Sequence, residues 1–383
     1  MAPPPPDSFS SLDAFPRCGV AQNIAMSRRA RVHFYSVLLI VLLAACSGRT
    51  APPTAPQPLI MPGQSPTLAS PATITPLPSE TASPAPSNTP TASPLPIFTA
   101  TPDPYTGLYL DDLRARAYGG GAITIVKTLL VTDTFTRSLI AYPSDGLTIY
   151  GFMNTPRGTG PFPVIIVNHG YLNPANYQTL TYMTRYASPL AAAGFIVIHP
   201  DYRGYGDSDD GPNPFRIGYA IDVLNLVALA KELPDADPEA IGLFGHSMGG
   251  GVSLRVAAVG SDVKAMLLYG SMSGDENANF AKIAEWRSDP NLPELSVPKD
   301  AIARISPINY LPNVQAVVSI HHGEADATVP PEWSADLYAR LSALGKGAEY
   351  FTYPGQPHTF VDDGHTLHVE RAIAFFDRYL RPS

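Results

Sequence analysis

The pentapeptide Gly-His-Ser-Met-Gly at residues 245–249 constrains the fold of this chain more than any other stretch. It follows the apolar run 240–244, typical of a buried strand, and precedes residues 250–258, typical of a helix. A strand that turns sharply into a helix holds the residue at the crest in a crowded, strained backbone conformation, which glycines two places away relieve. The pattern therefore predicts a nucleophile elbow, with Ser247 at the helix N-terminus between Gly245 and Gly249.

Strands and helices alternate through the second half of the chain. Continuous apolar strands separated by helices predict a mostly parallel, doubly wound α/β sheet that is covered on both faces. Antiparallel strands are expected to precede it, with a tight turn at 144–146. Ligands of such sheets bind beyond the carboxyl ends of the strands. The predicted strands are 123–130, 137–142, 147–154, 164–167, 195–198, 240–244, 265–269, 316–320 and 349–353, and the predicted helices are 180–193, 219–233, 250–258, 333–344 and 367–380.

Two later loops supply the partners that a serine nucleophile needs. A serine hydroxyl requires a base, and that base requires an orienting acid. In folds with this strand order the acid follows the elbow and the histidine comes last. We expect Asp326 to be the acid, with Glu324 as its rival. His358, in the loop after the last strand, is the expected base. The alternatives, His365 and His368, lie at the start of the last helix or on it, and we expect them to face solvent.

The oxyanion formed during acyl transfer needs two hydrogen-bond donors. One is the backbone N–H of Met248, the residue after the nucleophile. In such folds the loop after the first parallel strand supplies the other, and here that loop is Asn-His-Gly-Tyr at 168–171. Because Gly170 permits a close approach of the backbone, we expect the N–H of Tyr171 to be the second donor.

Several short motifs after residue 137 accompany this constellation. They are His169-Gly170, Asp201-Tyr202-Arg203-Gly204, Asp222-Val223, the elbow, Ser306–Tyr310, the run from His322-Gly323 through Asp326 to Val329-Pro330, and the His358 loop. Together they resemble the α/β-hydrolase superfamily, and are most like the catalytic domain of the prolyl oligopeptidase family of serine peptidases. The resemblance implies an α/β-hydrolase fold and acyl transfer from a peptide or ester through a covalent acyl-enzyme.

Two features depart from the pattern of that family. Its larger peptidases carry an N-terminal β-propeller that filters substrates, and here a low-complexity linker takes that place. In several of its peptidases a tyrosine two residues before the glycine of the oxyanion loop lends its hydroxyl, whereas this chain has Asn168 there. We therefore expect a prolyl oligopeptidase-like serine peptidase, with a carboxylesterase as one alternative and a non-catalytic tethered binding domain as another.

The N-terminal region reads as a secretion signal. A basic cluster at 28–31 precedes the apolar run 37–45, which is shorter than the ~20 residues of a membrane-spanning helix. Because such a signal normally begins a chain, we expect translation to start at Met26. The alternative is that residues 1–25 are a genuine N-terminal extension. The sequence Leu-Ala-Ala-Cys at 43–46 resembles the lipobox of bacterial lipoproteins. It implies a lipid anchor at Cys46 and an extracytoplasmic location in the cell envelope. The alternative is an ordinary secretion signal with an incidental cysteine.

Residues 47–104 consist almost entirely of Pro, Thr, Ser and Ala. Such a segment has no apolar periodicity with which to form a core, so we expect a disordered, extended spacer. The chain is therefore divided into an N-terminal extension and signal at 1–46, a linker at 47–104 and a catalytic domain at 105–383.

Composition narrows the set of partners. The net charge of −8 over 383 residues argues against nucleic acid. The two cysteines, Cys18 and Cys46, both precede the catalytic domain, so no disulfide framework is expected there. We expect neither a metal nor a cofactor, because the acidic run 207–211 lacks the spacing of a calcium loop and His365-x-x-His368 has no evident third ligand. The expected partners are a small peptide or ester substrate and a membrane.

Two further features allow structural hypotheses. Arg203 is expected to pair with Asp201 beneath the rim of the site. The segment 271–311 is too long for a plain connection, and it carries Phe280, Ile283 and Trp286 at helical spacing. That segment is either a lid over the pocket or an element packed onto the domain.

Overall fold

The computed structural model describes residues 102–260 and 262–381. The predicted signal with Cys46, and all of the predicted linker before residue 102, lie outside the described residues. No helix in the described ranges is both long enough and apolar enough to cross a membrane.

One sheet of nine strands organises the described part of the chain, in the order β1-β2-β3-β5-β4-β6-β7-β8-β9. The pairs β1–β2, β2–β3 and β3–β5 are antiparallel, and every later pair is parallel. The prediction of an α/β-hydrolase fold with antiparallel N-terminal strands is confirmed. The strands are β1 (Thr124–Val131), β2 (Phe135–Ser144), β3 (Leu147–Pro156), β4 (Phe162–Asn168), β5 (Ile196–Pro200), β6 (Ala236–His246), β7 (Val263–Tyr269), β8 (Val317–Gly323) and β9 (Ala348–Tyr353).

Helices cover both faces of the sheet. On β4, Val164 and Ile166 belong to one buried cluster, and Ile165 and Val167 belong to the other, which explains why the strand is a continuous apolar run. Helices α2 and α8 contribute to the second cluster and the remaining helices to the first. The helices are α1 (Leu110–Arg114), α2 (Thr184–Ala192), α3 (Ile217–Ala230), α4 (Met248–Val259), α5 (Glu276–Arg287), α6 (Lys299–Ile305), α7 (Pro331–Ala343) and α8 (Asp362–Leu380).

Local differences from the sequence prediction are small. The helix α1 was not predicted, and α8 begins five residues earlier than expected, so that it includes His365. The tight turn is present, since Ser144 pairs with Leu147 across a two-residue loop. Asp145 and Gly146 have φ values of 52° and 84°, the left-handed backbone that two-residue hairpins require.

Candidate active site

The elbow holds Ser247 in a strained backbone conformation. The residue stands between the last residue of β6 and the first of α4, with φ 55° and ψ −120°. Its N–H donates to the Tyr269 carbonyl oxygen at 3.0 Å, and its own carbonyl oxygen accepts from the Met272 N–H at 3.0 Å. Strain of this kind costs on the order of 1–3 kcal/mol and persists only where surrounding contacts enforce it. Here hydrogen bonds to the end of β7 and the loop after it supply those contacts.

The glycines around Ser247 are required by close backbone approach. A Cβ at Gly249 would lie 2.1 Å from the Asn168 carbonyl oxygen, and one at Gly245 would lie 2.4 Å from the Gly249 carbonyl oxygen. A Cβ at Gly170 would lie 3.0 Å from the Cβ of Ser247. The oxyanion loop and the elbow are therefore in direct contact at these three glycines.

Asp326 and His358 meet beyond the carboxyl ends of β8 and β9. The His358 Nδ1 lies 2.7 Å from the Asp326 Oδ2, and the two side chains are 17% and 0% exposed. The two loops are joined, since the Ala325 N–H donates to the Gln356 carbonyl oxygen at 3.0 Å. The rival acid Glu324 is exposed and makes no side-chain hydrogen bond within the described residues.

The surroundings of Asp326 keep its carboxyl ionised. Burial by itself raises the pKa of this carboxyl, but hydrogen bonds from His322, His358 and the Val329 N–H outweigh burial and hold the pKa well below its ordinary value. The Oδ1 atom accepts from the N–H groups of Thr328 and Val329, at 2.8 and 2.9 Å. A carboxylate held in this way accepts the Nδ1 proton of His358, which leaves the Nε2 lone pair of that ring free to take a proton.

His246, inside the pentapeptide, connects the base to the elbow. Its ring centroid lies 4.7 Å from that of His358, and its Nε2 lies 3.0 Å from the His358 carbonyl oxygen. Burial lowers the pKa of His246 to about 3, so the ring is neutral and donates from Nε2. The Ser247 hydroxyl makes no hydrogen bond to another described residue. Bonds between nucleophile and base often form fully only with substrate in place.

The two expected oxyanion donors have free N–H groups. Neither the Met248 nor the Tyr171 backbone N–H donates to another group in the ranges that the structure describes. Met248 is the first residue of α4, where the helix dipole favours negative charge. The contact between Gly170 and Ser247 brings the neighbouring Tyr171 to the nucleophile, and the Tyr171 side chain is 65% exposed.

Asn168 has a structural function at this site. The side chain is fully buried, and its Nδ2 donates to the Ser253 Oγ at 2.9 Å. Ser253 in turn donates to the Gly249 carbonyl oxygen at 2.8 Å. The position therefore ties the oxyanion loop to α4 and offers no donor to a substrate.

A buried polar network lies behind the oxyanion loop. The His199 Nδ1 lies 2.8 Å from the Val167 carbonyl oxygen, so Nδ1 carries the proton and Nε2 accepts. The Tyr177 hydroxyl lies 3.0 Å from that Nε2 and 2.6 Å from the Asp201 Oδ1. The hydroxyl proton of Tyr177 is donated to Asp201, and the Asp201 Oδ2 also accepts from the Thr179 hydroxyl. Burial raises the pKa of Asp201 to about 6.

Arg203 is not paired with Asp201, so that expectation is wrong. Its NH2 group lies 2.7 Å from the Asp222 Oδ1 on α3, and its backbone N–H donates to the same carboxylate. Asp201 instead accepts hydrogen bonds from the hydroxyls of Tyr177 and Thr179. The pair between Arg203 and Asp222 thus fixes the start of the loop after β5 to α3.

The expectation that His365 and His368 face solvent is wrong for His368. The His368 side chain is fully buried, and its Nδ1 lies 3.2 Å from the Nδ1 of His321. His365 is partly buried, with its ring centroid 5.4 Å from that of Tyr186. The physical reason is that this face of α8 packs on the sheet, so it contributes to the core.

The segment 271–311 is anchored to the core at α5. The Glu276 carboxylate is buried and accepts hydrogen bonds from Arg255 on α4 and from Arg216. Phe280 is 1% exposed and packs against Phe215, with 5.8 Å between the ring centroids. These contacts favour packing onto the domain over a movable lid.

A surface cavity of about 620 Å³ lies between the segment 271–311 and α7. Ile308 and Trp333 contribute apolar surface, and Asp275 and Glu332 contribute carboxylates. Neither the elbow nor Asp326 nor His358 lines this cavity.

Two residues of the site were missed in the sequence analysis. They are His246, which contacts His358, and His322, which is a second donor to Asp326. Both lie inside motifs that are visible in the sequence: His246 is the second residue of the pentapeptide, and His322 begins the motif that contains Asp326. Their histidine identity was the available signal.

Comparisons with known proteins place these observations in a family. The profile of the prolyl oligopeptidase family, Peptidase S9, matches residues 181–383, just over half of the chain. An uncharacterised peptidase of Bacillus subtilis, YuxL, is 27% identical over 255 residues, which are 62% of this chain and 38% of that protein. The chain therefore spans well under half of that relative.

Solved structures show the same fold. The acetyl xylan esterase 1 of a Thermoanaerobacterium species superposes with a TM-score of 0.54 at 19% identity, covering 70% of this chain and 90% of that one. A puromycin-hydrolyzing peptidase of Mycobacterium tuberculosis superposes with a TM-score of 0.52 at 21% identity, covering 66% and 41%. With an α/β-hydrolase fold and a family profile that matches more than half of its length, this chain belongs to the prolyl oligopeptidase family.

Proposed function

We propose that this protein cleaves peptide bonds through an acyl-enzyme formed on Ser247. The Ser247 Oγ attacks the acyl carbonyl carbon while the His358 Nε2 takes the hydroxyl proton. The N–H groups of Met248 and Tyr171 bind the oxyanion, and His358 then passes the proton to the leaving amine. Water deprotonated by the same nitrogen hydrolyses the acyl-enzyme and releases Ser247. Asp326 orients His358 and stabilises its charged form.

One observation carries this proposal. It is the hydrogen bond between the His358 Nδ1 and the ionised Asp326, with the His358 ring packed on the residue that precedes Ser247. This arrangement fixes the tautomer in which Nε2 is the basic nitrogen. The family of the chain supports a peptide as the acyl donor.

Covalent labelling tests the nucleophile. We expect a fluorophosphonate probe to label the wild-type protein and not the Ser247→Ala variant, and kcat of that variant to fall by at least about 10⁴-fold. Ser296→Ala, which removes an exposed hydroxyl, is the matched control and should label normally. A wild-type protein that resists the probe would support the alternative of a tethered binding domain and refute the proposal.

A carboxylesterase is the second candidate, because one observation favours it. Asn168 is engaged with Ser253, so no side-chain hydroxyl or amide from that position joins the two backbone donors. An ester is activated more easily than an amide and tolerates a smaller oxyanion site. A panel of aminoacyl arylamides and short-chain nitrophenyl esters separates the candidates. Turnover of the esters alone would exclude the peptidase.

We also propose that the enzyme is tethered to a membrane of the cell envelope by lipid on Cys46. The lipobox-like sequence at 43–46 supports this location, and the Pro-rich segment at 47–104 would act as a spacer. Full-length protein made in a bacterial host should enter the detergent phase of a phase-separation extraction, and Cys46→Ser should enter the aqueous phase. Wild-type protein in the aqueous phase would contradict the anchor.

A further inference from the structure

A second histidine contacts the same carboxylate oxygen as His358. The His322 Nε2 lies 3.0 Å from the Asp326 Oδ2, the atom that the His358 Nδ1 approaches at 2.7 Å. The His322 side chain is fully buried at the end of β8. Oδ2 of Asp326 is therefore the acceptor for His358 and shares the single Nε2–H of His322 with the Val329 carbonyl oxygen, and Oδ1 has two backbone donors.

The contacts of His322 define its protonation. Its Nε2 faces two acceptors, since the Val329 carbonyl oxygen lies 3.1 Å away in addition to Asp326, so this nitrogen carries a proton. Its Nδ1 lies 2.6 Å from the Oγ of Ser334, a buried hydroxyl on α7 that can donate to it. Ser334 thus contacts the Nδ1 side of the His322 ring, and Asp326 contacts the Nε2 side.

We propose that His322 is a positioning residue of the reaction, which sets the orientation and the basicity of Asp326 for His358. The proposal rests on the proposed function. The Asp326 carboxylate lies on a loop, and its two backbone donors fix only Oδ1. The Nε2–H of His322 fixes Oδ2 as well, so the atom that orients the base has one position. The same bond withdraws charge from Oδ2 and moderates the attraction between Asp326 and the imidazolium of His358.

Loss of this bond therefore has two consequences. The carboxylate gains freedom to rotate, so the His358 ring is less well aligned and kcat falls, by about 10- to 100-fold for small misplacements of a catalytic group. Oδ2 also becomes a stronger acceptor for His358. The charged form of His358 is then favoured, and the acid limb of the kcat/KM profile moves to higher pH by about half a unit to one unit.

Other titratable groups around this cluster are few. Within the described ranges, the ring of His246 packs on His358 and stays neutral because burial lowers its pKa to about 3. Glu324 precedes Asp326 by two residues and is exposed. A movement of the acid limb therefore reports on the pair of Asp326 and His358.

Two isosteric variants separate the contacts of His322. In His322→Gln the amide nitrogen reaches the place of Nε2, and its two hydrogens serve both Asp326 and the Val329 carbonyl. In His322→Asn the shorter amide reaches only the place of Nδ1, so the contact with Ser334 remains and that with Asp326 is lost. Ser334→Ala is the matched control, because it removes the partner of Nδ1 and leaves the bond to Asp326.

The experiment measures kcat, KM, the pH profile of kcat/KM and the thermal midpoint of each full-length variant on one ester substrate. We expect His322→Asn to lose about 10- to 100-fold in kcat with little change in KM and with the acid limb moved upward. His322→Gln should recover most of the kcat and the wild-type limb. Ser334→Ala should lower the thermal midpoint with kcat within about threefold of wild type.

Two results would overturn the inference. One is a His322→Asn variant with wild-type kcat and an unmoved acid limb. The other is an equal loss of kcat in all three variants that follows the decrease in their thermal midpoints. Such a result would mean that His322 only stabilises the fold. If His322→Asn does not fold, a His322→Gln variant that folds but fails to keep the wild-type kcat also refutes it. Activity that survives in Ser247→Ala would refute the proposed function itself.

Discussion

Replacement of Asp326 by asparagine tests the orientation of the base. The Oδ1 atom of the new side chain would keep the two backbone N–H donors at 2.8 and 2.9 Å. Its Nδ2 group would then stand where Oδ2 now accepts from the rings of His322 and His358. A donor would face two donors. His358 relieves this conflict by moving its proton from Nδ1 to Nε2, so that Nδ1 accepts from the amide.

The cost of that tautomer is large. With a proton on Nε2, His358 cannot take the proton of Ser247, and the loss in serine hydrolases of this design is about 10⁴ in kcat. At 1.36 kcal/mol per factor of ten, this is about 5 kcal/mol of transition-state stabilisation. Because the Asp326 side chain is buried, we expect KM to change little. The assay is steady-state hydrolysis of a nitrophenyl ester, together with the rate of fluorophosphonate labelling.

Glu324→Gln is the control for this experiment. Glu324 lies on the same loop and is exposed, so the variant loses one charge near the site without loss of any described hydrogen bond. We expect its kcat to stay within about twofold of wild type. An Asp326→Asn enzyme that retains more than a tenth of the wild-type kcat, or a Glu324→Gln enzyme that loses as much, would show that Asp326 does not orient the base.

Three other predictions concern the frame of the site. Gly249→Ala should lose activity and more than about 3 kcal/mol of stability, because the new Cβ would lie 2.1 Å from a backbone oxygen. Gly251→Ala is the control and should fold normally, because its Cβ would lie 3.3 Å from the nearest atom. Circular dichroism measures the folding of both variants. Glu276→Gln should lower the free energy of unfolding, measured by chemical denaturation, by about 3–5 kcal/mol because it leaves Arg255 buried without an anion. Glu285→Gln, which breaks an exposed ion pair, should lower it by less than about 1 kcal/mol. Equal losses in the two variants would refute the argument. Burial raises the pKa of Asp201 to about 6, so the stabilisation from its bound proton is lost as pH rises from about 4 to about 6. Asp201→Asn removes this contribution, so the stability of the wild type relative to Asp201→Asn should fall between pH 4.5 and 7.5 in urea unfolding, and an unchanged difference would contradict it.

The order of elements was predictable from the sequence because both faces of the parallel strands are buried. That burial makes strands such as β4 continuous apolar runs, which are visible in the sequence alone. Parallel strands bring their carboxyl ends to one edge, so Ser247, Asp326 and His358 were expected near one another. A strained backbone at Ser247, where φ is 55°, was also expected from the pentapeptide together with the strand before it and the helix after it.

Pairings between side chains were not predictable in the same way. Arg203 contacts Asp222, 19 residues away, instead of Asp201 two residues away, because α3 packs beside the loop after β5. Likewise His368 is buried because of the rotation of α8 on the sheet. Such contacts depend on tertiary distances of a few ångströms, which periodicity and motif spacing do not contain.

Two carboxyl groups of this site show what decides the ionisation of a buried acid. Burial by itself raises the pKa of both Asp201 and Asp326. Among the described residues, the side-chain donors to Asp201 are the hydroxyls of Tyr177 and Thr179, and its pKa stays raised at about 6. Asp326 receives two imidazole N–H groups and two backbone N–H groups, and its pKa falls below the ordinary value. The donors around a carboxyl, more than its depth, therefore determine which acid stays ionised beside His358, and the proposed role of His322 rests on this difference.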